Sequence, residues 1–192
     1  MNSIKRHIAP IFLSFFICLI PAAGYCFDLL SLEPGMSREE VEDMLRWKSI
    51  KATVFGKDAL LLTIQVVPDV FEQQRSLIEF DSKGFLSFVN IRIIPETGSS
   101  GEDVMLLYNN VREWMINELG PPAWERREGY AVPEDLLQAF SRGKVVRFLQ
   151  WEKTYAIRFG IPQRANGEVM VEILIAPKML PRGSKFWGGR RF

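Results

Sequence analysis

Apolar residues recur at helical spacing soon after the start of the chain. Ser37 is a good N-cap residue, and Glu40 stands three positions later, which is the sequence signature of a capping box. Val41, Met44 and Leu45 then form the apolar stripe of an amphipathic helix. Glu39 and Glu40 lie in the first turn, where carboxylates favour the positive end of the helix dipole. The stretch therefore predicts a structural helix and not an acid/base site.

A longer helical pattern occupies the middle of the chain. Apolar residues keep helical spacing from Val104 to Leu119, and Gly120 followed by two prolines is typical of a helix end. The segment 133–140 predicts a short additional helix.

Eight further segments have the composition and alternation of β-strands. Turn-like sequences between several of them indicate antiparallel hairpins, and the polar, glycine-containing segment 95–101 is the best internal boundary. The order of a helix followed by strands occurs twice, so we predict an α+β fold of two tandem units, residues 27–95 and 100–177, each a helix packed on a small antiparallel sheet. The predicted strands are 51–55, 60–67, 76–80, 85–94, 123–127, 145–152, 154–159 and 168–176.

The first 24 residues have the pattern of a secretory signal peptide. Lys5, Arg6 and His7 form a basic head, an apolar run follows over residues 8–20, and small residues lead to Gly24. We expect cleavage after Gly24 and a periplasmic or secreted protein. An outer-membrane lipoprotein acylated at Cys26 is the alternative localisation.

Removal of that segment changes the candidate chemistry. Lys5 and Arg6 are removed from the 24 basic residues, and 22 remain against 23 acidic residues. The net charge is therefore close to zero, and no strongly basic field favours binding to nucleic acid. No histidine and at most one cysteine remain. Histidine-dependent nucleophiles, histidine-containing zinc sites and disulfides are thereby excluded, and we expect no cofactor and no metal.

A short motif after the predicted signal peptide resembles the SmpA/BamE family of small envelope lipoproteins. The resemblance implies helices packed on a small antiparallel sheet and an accessory role in outer-membrane protein assembly. The doubled unit is also similar in layout to the β-lactamase-inhibitor protein, which implies binding of another protein through a sheet face. Arg46 stands where the family has a helix-ending glycine, and Tyr25 precedes Cys26. The motif consists of Gly35, Met36, Ser37, Glu40, Val41 and Leu45.

A sheet with helices on one side leaves its other side for solvent or a partner. Aromatic and arginine residues alternate along several predicted strands, and Trp and Arg are over-represented among residues that dominate interface energies. We predict that six of them form an exposed binding surface; the alternative is that the two tryptophans are ordinary core residues with arginines at the edge. The six are Phe88, Arg92, Trp124, Arg147, Trp151 and Arg158.

The last segment, residues 178–192, combines basic and aromatic residues with three glycines. Such a tail can contact anionic lipid or an acidic partner, and the alternative is a solvated terminus without a role. Its charged and aromatic residues are Lys178, Arg182, Lys185, Phe186, Trp187, Arg190, Arg191 and Phe192.

These observations predict a non-enzymatic, exported binding protein of the cell envelope that recognises another envelope protein and acts as an assembly accessory or inhibitor. The second candidate function is a histidine-free hydrolase of envelope glycans that uses two carboxylates. Its candidate residues are Glu79, Asp81, Glu152 and Glu172.

Overall fold

Eight antiparallel strands form one sheet in the computed structural model, which describes residues 29–163 and 167–178. The α+β class is as predicted. The predicted signal peptide, Cys26 and residues 179–192 of the tail lie outside the described residues.

The strand order in the sheet is β1-β2-β3-β4-β8-β7-β6-β5. Each strand overlaps one of the eight predicted segments. The strands are β1 (Thr53–Val54), β2 (Ala59–Leu62), β3 (Gln73–Phe80), β4 (Leu86–Ile94), β5 (Trp124–Glu128), β6 (Val146–Glu152), β7 (Ala156–Gly160) and β8 (Val171–Ala176).

The last strand of each predicted unit pairs with the other, so the two sets of strands share a single sheet. β4 and β8 are antiparallel, with Val89 opposite Ile175 and Ile93 opposite Val171. A helix precedes each set of four strands: α1 (Arg38–Trp47) comes before β1, and α2 (Gly101–Leu119) comes before β5.

Both long helices begin with a capping box. Ser37 Oγ accepts a hydrogen bond from Glu40 N at 3.2 Å, and Glu40 Oε2 accepts one from Ser37 N at 2.7 Å, as predicted. Ser100 and Asp103 make the same pair of bonds at α2, which therefore begins at Gly101, before the apolar periodicity starts. At its other end, Gly120 adopts a φ of +79°, which explains why glycine follows this helix.

The helices cover one side of the sheet, where the main core lies. The stacked rings of Tyr108 on α2 and Phe159 on β7 are 4.9 Å apart. The short helix α3 (Leu136–Ser141) packs on the start of α2, where a Cβ at Gly101 would come within 2.3 Å of Leu136 Cβ. Within residues 29–163 and 167–178, no helix is both long and apolar enough to cross a membrane.

The predicted strand 60–67 is too long, because β2 ends at Leu62. The segment after it folds around the buried side chain of Gln74 on β3, which is 4% exposed. Gln74 Oε1 accepts hydrogen bonds from Val66 N at 2.7 Å and Val67 N at 2.9 Å, and its Nε2 donates to the carbonyls of Val67 and Val70. A side chain thus satisfies backbone groups that a strand partner would otherwise satisfy.

We expect Gln74→Leu to lower the free energy of unfolding by about 2 to 4 kcal/mol, because it leaves buried backbone groups without hydrogen bonds. Urea unfolding measures the loss. The matched control is Gln73→Leu at the neighbouring exposed position, which should change the midpoint little. Equal effects of the two substitutions would contradict this role for Gln74.

Candidate binding face

No helix in the described part of the chain packs on the side of the sheet opposite α1 and α2, and we call that side the helix-free face. Register defines it, because residues opposite one another in paired strands point to the same side. At its centre and towards β5 it comprises Phe88, Asn90, Arg92, Glu172, Leu174, Ala176, Ala156, Arg158, Phe148, Gln150, Trp124 and Arg126.

Four of the six predicted binding residues lie on the helix-free face. Phe88 and Arg92 are on β4, where they share the face with Asn90. Gln150 on β6 lies between the other two, opposite Arg158 on β7 and opposite Trp124 on β5. These four residues therefore span five neighbouring strands, from β4 through β8, β7 and β6 to β5.

Arg147 and Trp151 lie on the helix-covered side, so the prediction that all six residues share one face is wrong for these two. The predicted exposure is also wrong for Phe88, which is only 7% exposed. Trp151 is 3% exposed, and its Nε1 donates to Gly120 O at 2.8 Å, which fixes the end of α2 against the sheet. Arg147 Nη1 donates to the carbonyls of Glu128 and Val146. Trp151 thus links the end of α2 to the sheet, whereas Arg147 bonds carbonyls of β5 and β6.

The centre of the helix-free face is apolar and closely packed. Phe88, Leu174 and Ala176 form a cluster that is separate from the main core, and they are 7%, 0% and 0% exposed. Small residues surround it, with Ala156 and Gly160 on β7 also buried. The middle of the face is therefore closely packed and leaves little of these apolar side chains accessible.

A polar pair crosses the sheet beside this cluster. Asn90 Nδ2 on β4 donates to Glu172 Oε1 on β8 at 2.7 Å, and the two residues are 1% and 2% exposed. Glu172, one of the candidate hydrolase carboxylates, is thus buried against Asn90. A buried carboxylate is stable only where hydrogen bonds or opposite charges replace its water.

The half of the face near β5 carries larger polar and aromatic side chains. Arg158 Nε donates to Gln150 Oε1 at 3.1 Å, and Gln150 Nε2 donates to Glu152 Oε1 at 2.9 Å. Burial lowers the pKa of Arg158, and the Glu152 carboxylate acts in the opposite direction. Trp124 packs edge-on against Phe148 at 5.2 Å between ring centroids, and 44% of it remains exposed.

Two buried polar atoms on the helix-free face lack a hydrogen-bond partner within the described part of the chain. They are Asn90 Oδ1, an acceptor, and Arg92 Nε, a donor. Partial burial raises the pKa of Glu79 on the same face, and attraction to Arg92 opposes that shift. Polar groups of this kind can orient a bound peptide through hydrogen bonds.

The register separates the face's candidate catalytic carboxylates. Glu79 and Glu152 lie on one row across the sheet, four strand spacings or about 19 Å apart. Glu172 is two strands and four residues from each of them, about 16 Å. A glycosidase needs its two carboxyl groups about 5 to 10 Å apart. None of these pairs therefore has the spacing of a glycosidase site.

Asp81, the fourth candidate carboxylate, lies in the turn between β3 and β4. It lines an open pocket of about 380 Å³ together with Glu33. Its Oδ1 accepts hydrogen bonds from Lys83 N at 2.8 Å and Phe85 N at 3.0 Å. The bond from Phe85 N contributes most to lowering the pKa of Asp81. This carboxylate stabilises a turn.

Among residues 29–163 and 167–178, no group of three or more His, Cys, Asp or Glu side chains is arranged to hold a metal ion. No family model, curated protein or solved structure matches the chain.

The two tryptophans provide a test of these placements. We expect Trp151→Ala to lower the free energy of unfolding by about 3 to 5 kcal/mol, because it opens a cavity and removes the bond to Gly120. Trp124→Ala should cost about 1 kcal/mol or less, since this ring is partly exposed and packs mainly on Phe148. Urea unfolding of both variants measures the difference. Similar losses would contradict the placement of the two rings on opposite sides.

Proposed function

We propose that this chain is an exported, non-enzymatic binding protein of the cell envelope and that it recognises a protein partner through the helix-free face. The observation that carries the proposal is the composition of that face. Towards β5 the face presents the partly exposed Trp124, and the half-buried arginines Arg92 and Arg158 lie beside the closely packed centre. Aromatic and arginine residues dominate the binding energy of many protein interfaces.

The order of elements supports a finer description of the fold. A helix followed by four strands occurs twice, and the two sets of strands meet at β4 and β8. We infer two tandem units of the kind that the resemblance to the β-lactamase-inhibitor protein implies. That resemblance favours an inhibitor, and the SmpA/BamE resemblance favours an accessory in outer-membrane assembly. Both roles need a surface that binds protein.

The carboxylate geometry favours binding over glycan hydrolysis. The backbone positions of Glu79, Glu152 and Glu172 are about 16 to 19 Å apart by strand spacing, whereas hydrolysis requires carboxyl groups about 5 to 10 Å apart. Glu172 is also engaged by Asn90. A wide sheet surface on which these three carboxylates are widely spaced fits contact with another protein better than cleavage of a sugar chain.

The test is affinity capture from the native envelope with matched variants of the full chain. Trp124→Ala and Arg158→Ala should each weaken retention of the partner by about 30-fold, as expected for interface residues worth roughly 2 kcal/mol. Trp47→Ala is the matched control, because Trp47 is 79% exposed at the end of α1 and belongs to the helix side.

Binding curves for the captured protein, measured with each purified variant, give the affinities directly. Loss of affinity in both face variants and wild-type affinity in Trp47→Ala support the proposal. Equal affinity of all four chains, with each variant folded by circular dichroism, would rule out this face as the contact surface.

A further inference from the structure

Arginine side chains from three elements gather on the helix-covered side of the sheet, at the edge formed by β5. Arg112 belongs to α2, Arg127 to β5 and Arg147 to β6. Glu125 lies among them, since its Oε1 is 2.6 Å from Arg127 Nε and 3.4 Å from Arg112 Nη2. We call these four residues the arginine cluster. Three guanidinium groups and one carboxylate give the cluster a net positive charge.

Two arginines of the cluster stand directly opposite each other in the pairing of β5 with β6. They are Arg127 and Arg147. Ile161 N donates to Arg147 O at 3.1 Å, so the backbone of Arg147 faces β7. The pair with Arg127 is therefore of the non-hydrogen-bonded kind, in which the Cα atoms are only about 4.5 Å apart. Like charges in this position destabilise a pair of strands, and an anion beside both would offset their repulsion.

The carboxylate of the cluster does not neutralise both members of this pair. Glu125 bonds Arg127, whereas Arg147 forms no salt bridge with any described residue. Arg147 Nη1 donates to two backbone carbonyls, which satisfies hydrogen bonds without cancelling the charge. The cluster therefore retains an excess of positive charge where its strands meet.

Two buried polar atoms of α2 lack a hydrogen-bond partner within residues 29–163 and 167–178. They are Tyr108 Oη and Arg112 Nε. The two residues are four positions apart, so their side chains lie on one face of the helix. Tyr108 is 1% exposed. Unpaired buried polar groups are costly, and a ligand that accepts hydrogen bonds would be stabilised beside them.

The Tyr108 hydroxyl lies within electrostatic range of the cluster. Burial raises the pKa of Tyr108 to about 12, and the charge of Glu125 acts in the same direction. The three arginines of the cluster oppose this shift. The hydroxyl therefore stays protonated at neutral pH and can donate a hydrogen bond to an anion.

The cluster is accessible from the edge of the sheet. The Arg127 side chain is 53% exposed and that of Arg112 is 24% exposed, so a ligand can reach them from solvent. Guanidinium N–H groups and a hydroxyl suit an oxyanion. A terminal phosphate carries a charge of about −1.5 to −2 at pH 7, and its several oxygens can accept from donors on three elements.

We propose that the arginine cluster and the Tyr108 hydroxyl bind a terminal phosphate group, either inorganic phosphate or the phosphate monoester of a lipid headgroup. The donors are Tyr108, Arg112, Arg127 and Arg147. Glu125 positions two of the guanidinium groups, but its negative charge limits the affinity for an anion. The site lies on the opposite side of the sheet from the helix-free face, so it stands or fails independently of the proposed function.

Isothermal titration calorimetry of the full chain with inorganic phosphate, in a chloride buffer of constant ionic strength, tests the proposal. We expect saturable binding that Arg127→Gln weakens at least about tenfold, because the substitution removes a charged donor. The matched control is Arg126→Gln on the same strand. Arg126 points to the helix-free face and pairs with Glu128 at 2.6 Å, so its loss should leave the phosphate affinity unchanged.

Two further variants separate binding from a structural role. Tyr108→Phe removes only the hydroxyl and should weaken phosphate binding about fivefold. Glu125→Gln keeps an oxygen that can accept from Arg127 but removes the negative charge, so it should strengthen phosphate binding at least about threefold. Circular dichroism and urea unfolding in chloride show whether each variant is folded.

Vesicles distinguish the two sources of phosphate. Phosphatidylcholine vesicles with phosphatidic acid present a phosphate monoester, and vesicles of equal charge made with phosphatidylserine do not. Preference for phosphatidic acid that Arg127→Gln abolishes, without saturable binding of inorganic phosphate, would assign the site to a lipid headgroup. Saturable binding of inorganic phosphate without that preference would assign it to the free anion.

Three results would overturn the proposal. The first is the absence of saturable phosphate binding together with equal binding to both kinds of vesicle. The second is equal affinity of the wild-type and Arg127→Gln chains for the probe that binds. The third is weaker binding by folded Glu125→Gln, because removal of a negative charge must favour an anion held by the arginines.

Discussion

The antiparallel pairing of β4 with β8 is the contact on which the rest of the structure depends. It runs over five residue pairs, from Val89 opposite Ile175 to Ile93 opposite Val171. Without it, each set of strands would end in an open edge with unpaired backbone groups. With it, the chain forms one sheet that has a continuous helix-covered side and a continuous helix-free face.

The hydrogen bond between Asn90 on β4 and Glu172 on β8 joins the same two strands, with 2.7 Å between Nδ2 and Oε1. A shift of one residue in the pairing would turn every side chain of β8 to the opposite side of the sheet. It would place Glu172 among the aliphatic residues of the main core and would break its hydrogen bond with Asn90. The pair therefore favours the observed register, and it sets the polar character of the face at the point where the two halves meet.

Local signals in the sequence predicted much of the fold. The capping box at Ser37 and the glycine stop at Gly120 depend only on neighbouring residues, and both are confirmed. The end of β2 was missed because apolar residues continue to Val67. The pairing of β2 with β3 stops where the side chain of Gln74 bonds the backbone of the following segment. Its bond from Val67 N joins residues seven positions apart, which the apolar pattern does not reveal.

The candidate site was harder to predict. Alternation along a strand divides its residues between the two sides of the sheet, but it does not show which side the helices cover. In β6, Arg147 and Trp151 alternate with Phe148 and Gln150, and both sets mix polar with apolar groups. Only the position of α2 decides which set is covered, and its C-cap residue Gly120 accepts the indole N–H of Trp151. The burial of Glu172 likewise depends on a partner 82 positions earlier in the chain.

Native-state hydrogen exchange tests most directly whether the pairing of β4 with β8 makes the two sets of strands unfold as one unit. The account predicts that amides in β4 and β8 exchange among the slowest, and that strands of both halves share one free energy of opening equal to that of global unfolding. Exchange of β5 to β7 through a separate, lower-energy opening while β2 to β4 remain protected would show two independent halves and would contradict the account.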